Sequence, residues 1–297
     1  MATIDALSAK TDESLRRGTV RVFIHRLRQN RLGLLGLILV SLVLASAILG
    51  PLVIPHDPTR IMVGPRLAPP SFDYLLGTDQ LGRDLFSRVI MGGRIPLIVA
   101  FASLASSLAV GLALGLLAAF GPSWLDNLLL LFFDTIRSFP GIIFALAIIA
   151  LLGPSITSVI FVIAITSMPI YARVARTQAQ ALRSRDYIDA ERCMGAGMLR
   201  ILVVHVVPNM IGPLLILVSM DVPNVIAVEA GLSFLGMGVR PPTPDWGVIL
   251  ADGYNYIQAT PWPAIIGTVP IALATLGFTF LGEALRDIFD PKLRKDL

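Results

Sequence analysis

The chain's three lysines stand at positions 10, 292 and 295, in its two tails. A Gly-x4-Gly-Lys-Ser/Thr loop needs its lysine to reach the β- and γ-phosphates, so no ATP site of that kind can be assembled. The histidines, His25, His56 and His205, are scattered, and no His-Glu-x-x-His pair occurs, which removes the metalloprotease kind of zinc site. One cysteine, Cys193, allows neither an internal disulfide nor a thiolate metal cluster. The run GLSFLG has the outline of a nucleophile elbow, but no histidine is placed to serve it. No catalytic residue, metal ligand or bound cofactor is assigned to this chain.

What remains is a small set of ionisable residues inside apolar runs. Each costs several kcal/mol in hydrocarbon, so each implies a partner or an aqueous cavity. Asp134 and Arg137 lie three apart and are placed to pair along one helix face. Asp221 and Glu229 lie eight apart on nearly the same face of a later helix. With Asp134 they are the candidate lining of a translocation path.

The elements that carry these residues belong in a bilayer. Hydrophobic residues make up 55% of the 297, charged residues only 15%, and mean hydropathy is +0.77, against about 25% charge in a soluble domain. A formal net charge of +4 is too modest to suggest nucleic acid. Six spans are predicted, over 31–54, 96–120, 125–152, 155–172, 209–230 and 263–284. The third carries Asp134, Arg137 and Phe139-Pro140, so it is expected to kink and to pack inside the protein. Gly153-Pro154 leaves room only for a tight hairpin between spans three and four. Gly111, Ala113 and Gly115 are expected to let neighbouring helices approach closely. The first span is expected to be retained rather than cleaved, since its basic leader is long and its apolar run continues through Ile54.

Arg and Lys distribution orients the spans. The basic tail 1–30, the segment 173–208 and the tail 286–297 are expected in the cytoplasm. The loops 55–94 and 231–262 then fall outside. The core would run over 95–285. The tail 1–30 reads as a basic amphipathic helix on anionic lipid or as an orienting charged tail. The stretch GMGVRPPTPDWG favours turns over a helix, and Trp246 and Trp262 suit a half-wet interface.

The segment from Ala181 to Asn209 turns charged between two apolar runs. Arg183 to Met194 has no Pro or Gly and reads as a short helix, with Tyr187, Ala190 and Met194 on one apolar stripe. Gly195 and Gly197 stop it, and Pro208 and Pro213 mark re-entry into the membrane. Such a helix is suited to dock on another protein.

Here the residues resemble the permease subunits of binding-protein-dependent ABC importers. That family's signature is Glu-Ala-Ala, three residues, Gly, nine residues, then Ile-x-Leu-Pro. This chain has Asp189-Ala190-Glu191, Gly195 and His205-Val206-Val207-Pro208 in the same frame. Asp189 keeps the charge; Glu191 stands where a small residue is usual and is expected to tune partner fit. His205 is similar to usage in the dipeptide, oligopeptide and nickel branch. LGTDQLGRDLFSRVI, EAGLSFLGMGVRPPTPDWG and LGEALRDIFDPKLR are similar to the C-type permease of that branch.

The resemblance implies an all-α, polytopic, type I importer permease of six transmembrane helices in the bacterial inner membrane. A second homologous permease, two cytoplasmic P-loop ATPase subunits holding ATP and Mg, and an extracytoplasmic solute-binding protein are the implied partners. Arg183, Tyr187, Asp189, Ala190, Glu191, Met194, Gly195 and Pro208 would form the ATPase-coupling segment. Asp79, Arg83, Asp84, Arg240 and Trp246 would meet the binding protein. Peptides are the expected cargo, with nickel chelates or glutathione as alternatives. An ion-coupled secondary carrier would instead show an inverted repeat of broken spans, and none is visible.

Overall fold

Runs of Leu, Ile, Val and Ala satisfy their backbone polar groups within hydrocarbon by coiling into helices. The computed structural model describes residues 30–289 and, among them, has no strand beyond an isolated bridge between Thr78 and Asp84. The leader and the last eight positions lie outside the described residues, and with them the expectations for those tails. In chain order the helices are α1 (Arg31–Val53), α2 (Leu85–Gly92), α3 (Arg94–Phe120), α4 (Ser123–Arg137) and α5 (Gly141–Leu152). Then come α6 (Ile156–Arg183), α7 (Asp186–Cys193), α8 (Met198–Phe234), α9 (Trp246–Tyr254) and α10 (Trp262–Phe289).

Five helical units are long and apolar enough to cross a membrane: α1, α2 with α3, α6, α8 and α10. The α4–α5 pair makes a sixth, bent by 90° at Ser138–Pro140. The predicted spans are all present, but α6 and α8 extend well past them into charged sequence. Hydropathy marks the part of a helix in hydrocarbon, not where the helix ends.

Glycines set the closest packing. A Cβ on Gly36 of α1 would stand 2.6 Å from the Leu281 nitrogen of α10, and one on Gly277 would stand 2.8 Å from Leu39 Cβ. On α3, a Cβ at Gly111 would come 2.7 Å from Tyr171 Cβ, and one at Gly115 equally close to Ala175 Cβ of α6. Ala113 is exposed and takes no part in that seam, a correction that follows from the helical repeat: it lies between the two contacts. α8 packs on α3, α9 and α10, and the core runs through these helices.

The kink in the third span is where Phe139-Pro140 placed it, but its packing is not as expected. In α5 only Ala145 and Ile149 are buried. Ile142, Ile143, Leu151 and Leu152 are exposed, so most of this half-span finds no partner within the chain. Asp134 pairs across to Arg173 of α6 rather than along its own helix to Arg137. Nearby, Asp126 accepts from Nε and Nη2 of Arg176, one on each oxygen, tying the start of α4 to α6.

The helices give the molecule two poles. One carries α7 and the start of α8; the other carries residues 54–84, α2 and α9.

Candidate functional site

At the first pole, α6 ends at Arg183 and the chain turns through Ser184 into α7. Asp186 and Asp189 occupy the first turn of α7 and Arg192 its last, the arrangement a helix dipole favours. Gly195 ends the turn at φ 82°, a left-handed conformation suited to glycine. Arg183 turns back toward α3, where its Nη1 donates to the Ala119 carbonyl at 2.8 Å and its guanidinium lies over the Phe120 ring. It is therefore a brace within the chain.

Ile188 is the only buried residue of α7. Tyr187, Ala190 and Met194, the stripe read from the sequence, face outward, with Met194 74% exposed. Met198, Leu199, Val203 and Val204 extend this exposed apolar surface onto α8. Sequence reasoning named the outward face but missed Ile188, whose only signal was its place opposite the stripe. Asp189 pairs with Arg192 at 2.8 Å on the surface.

Glu191 turns inward. Its Oε1 lies 3.2 Å from His205 Nε2, and the Tyr187 ring sits 6.3 Å from that imidazole. Two of the departures from the family signature, Glu191 and His205, are thus each other's partners, across the gap between α7 and α8. Its carboxylate is engaged within the chain, so an influence of Glu191 on an external partner would act through the contact between α7 and α8. α8 widens to a π-turn at Ile201–Val206, just ahead of the exposed Pro208, where an α-helical ring would clash with the carbonyl four residues earlier. Asn209 Nδ2 covers the His205 carbonyl at 2.6 Å.

The second pole is sealed by charge. Asp79, Arg83, Asp84 and Arg88 are each no more than 3% exposed. Arg83 binds Asp79 through Nε and reaches Asp252 of α9 at 3.0 Å through Nη2. Arg88 of α2 faces the same two carboxylates at 3.5 Å each. Asp84 caps α2, accepting from Ser87 N at 3.0 Å and Ser87 Oγ at 2.6 Å. Trp246 is buried, not half wet; its Nε1 donates to the Val89 carbonyl at 2.8 Å, and a Cβ on Gly93 would meet its ring at 2.6 Å. Trp262 is half-buried, with Nε1 on the Leu76 carbonyl at 2.9 Å. Of the five residues assigned to binding-protein docking, only Arg240 is exposed. Asp79, Arg83, Asp84 and Trp246 hold the pole together from within, which corrects that assignment. α2 and α9 were also missed within their loops, although Asp84 and Asp245 stand as N-caps before apolar runs.

The candidate path residues separate. Asp134 is largely exposed on Arg173. Asp221 is half-buried and accepts from the Tyr171 hydroxyl at 3.1 Å. Glu229 is buried at the sealed pole, its Oε1 accepting from Ser233 Oγ at 2.8 Å, so in this conformation it lines no open surface. Among the described residues no cluster of His, Cys, Asp and Glu is suited to a metal ion.

Comparison with known proteins places this architecture. The family described as "Binding-protein-dependent transport system inner membrane component" matches residues 111–295, and "N-terminal TM domain of oligopeptide transport permease C" matches 19–70. A di/tripeptide transport system permease protein of Pseudomonas aeruginosa (strain UCBPP-PA14) is 38% identical, covering 93% of each chain. A dipeptide transport system permease protein of Haemophilus influenzae is 35% identical, over 90% of this chain and 93% of that one. An inward-facing structure of the MetNI methionine ABC transporter shares the fold, with TM-score 0.55 and 19% identity, covering 68% of this chain and 97% of that one. The fold is the type I importer permease fold, in a multi-pass inner-membrane protein. With both its amino-terminal span and its core matched, the chain belongs to the family of binding-protein-dependent transport system inner membrane components.

Proposed function

We propose that this chain is one of two homologous permease subunits of an ATP-driven importer for di- or oligopeptides. The observation that carries the reading is α7: a helix fixed to its own chain by Ile188 that turns Tyr187, Ala190 and Met194 outward. The names of its relatives, permeases for dipeptides and tripeptides, support the cargo.

In this reading the α7 pole and both termini are cytoplasmic, as the arginines of 173–200 favour. Two ATPase subunits, which alone hold ATP and Mg, receive α7 and its counterpart on the second permease. The exposed side of α5 faces that second permease or lipid. A solute-binding protein delivers peptide at the loop pole. Closure of the ATPases moves α7 as a unit, because Ile188, Arg183 and the Glu191–His205 pair brace it to the membrane helices. That motion tips the membrane domain between its two access states.

The test is a pair of substitutions on the docking surface. Ala190→Glu and Gly195→Asp should leave insertion intact while peptide uptake collapses and ATP hydrolysis no longer responds to the loaded binding protein. Normal uptake in both variants would sink the proposal. Failure of a P-loop ATPase to co-purify would point to an ion-coupled carrier instead.

A further inference from the structure

The loop pole contains one polar contact that the ion pairs around it do not explain. Glu229, on the last turns of α8, and Asp245, the N-cap of α9, are 1% and 0% exposed. Their side chains lie within hydrogen-bonding reach of each other. Each has one oxygen engaged: Glu229 Oε1 with Ser233 Oγ, and Asp245 Oδ1 with the Val248 amide at 3.0 Å. The Ser233 hydroxyl and the Gly247 amide also face Asp245, but Glu229 Oε2 and Asp245 Oδ2 are left buried without a hydrogen-bond partner. The helices are too close for water to intervene freely, since a Cβ on Gly247 would stand 2.7 Å from Ser233 Cβ.

Two carboxylates in that position would be mutually repelling acceptors, each with an oxygen stripped of water. A single hydrogen between the free oxygens converts the repulsion into a charge-assisted hydrogen bond and satisfies both. We infer that Glu229 and Asp245 share one resident proton at neutral pH, and that this proton clamps α9 onto the end of α8.

The surroundings fit one net negative charge rather than two. From α2 the Arg88 guanidinium faces Asp245, but it is already held between Asp79 and Asp252. Arg83 is likewise committed to Asp79 and Asp252. Arg94, at the start of α3, donates to the Ala47 carbonyl. The stretch of α10 that meets α9, Trp262 to Thr268, carries no ionisable side chain. Burial also pushes the Asp245 carboxyl up to about 6, so a second proton joins the pair only in mild acid.

Separating α9 from α8 would put both carboxyls in water, where each ordinarily ionises well below neutrality. The shared proton would then pass to solvent, and closing the pole would take one up. The clamp does not depend on what the chain carries.

The test compares three forms of the intact transporter complex. E229Q places an amide donor where the proton stood, whereas Glu229→Ala removes the bridge. Wild type should show a protonated-carboxyl C=O stretch in infrared spectra at neutral pH, and E229Q should lack it. E229Q should also keep a neutral-pH Tm near wild type while Glu229→Ala loses several degrees. Absence of the band in wild type, or E229Q as unstable as Glu229→Ala, would overturn the clamp. So would a stoichiometric divalent cation, found by elemental analysis in wild type and lost in E229Q.

Discussion

The two poles of this molecule solve opposite problems with similar residues. At the loop pole Arg83, Arg88, Asp79 and Asp252 are packed against one another out of solvent, and Trp246 is sunk into a glycine-lined seat. At the α7 pole, Asp189 and Arg192 pair in solvent while Tyr187, Met194 and Leu199 stand uncovered. The first pole completes its own surface from within. The second leaves a surface for something else to complete. Charge density alone does not tell them apart; whether charges face inward or apolar side chains face outward does.

Substitutions should widen or erase that contrast. Arg88→Ala should do the most harm, because it leaves Arg83 alone to balance Asp79 and Asp252 and empties a buried site. A loss of about 3–5 kcal/mol is expected for breaking such a pair, read as a large fall in Tm or in recoverable protein. A value near zero would mean that the loop pole is not internally locked.

Acidity is the next probe of that pole. Asp245 has a folded-state value of about 6 against about 3.9 in an unfolded chain. Between those values the folded form binds more protons, so stability must fall as pH rises from about 4 to 6, and it goes on falling above 6 for as long as only the folded form holds the proton shared with Glu229. The drop expected from Asp245 is on the order of 2–3 kcal/mol, and Asp245→Asn should remove that part of the pH dependence. A thermal-unfolding series across that window in both forms decides the matter.

Trp246→Phe is a milder probe, removing the donor to Val89 and one of the two fused rings from a tight seat. It should cost about 2 kcal/mol, measurable by differential scanning of the purified chain. Met194→Ser, at the opposite pole, should move stability by less than about 0.5 kcal/mol. Its effect is expected in transport, measured as uptake per ATP hydrolysed. A large Tm change in Met194→Ser would show that α7 is a structural prop rather than a docking element.

The sequence was most legible where hydrophobicity has a simple period. The spans, the Phe139-Pro140 bend, the α7 stripe and its Gly195 stop could all be read from residue type and spacing. Less legible was which charges face inward. Asp79, Arg83 and Asp84 look like surface residues in a loop; their burial is accounted for by Arg83 reaching Asp252, far along the chain, by Asp79 pairing with Arg83 and Arg88, and by Asp84 capping Ser87. Glu191 and His205 were both visible as departures from a motif. Their mutual contact was not, because it depends on how sharply the chain turns between Gly195 and Gly197. The open face of α5 could not be foreseen from an apolar run, which reads the same against protein or lipid.

α8 reaches from one pole to the other without interruption. Its 37 residues, at about 1.5 Å of rise each, make a strut roughly 55 Å long. His205 sits near one tip and Glu229 near the other. Such a strut transmits axial displacement with little loss, so a shove against its tip beside α7 would be felt at the far tip as a change in how firmly α9 is seated. The π-turn at Ile201–Val206, close to the driven end, works as a compliant joint that lets the strut pivot before it bends. Stiffening that joint would change the angle through which the far tip swings while leaving every contact at the far tip in place.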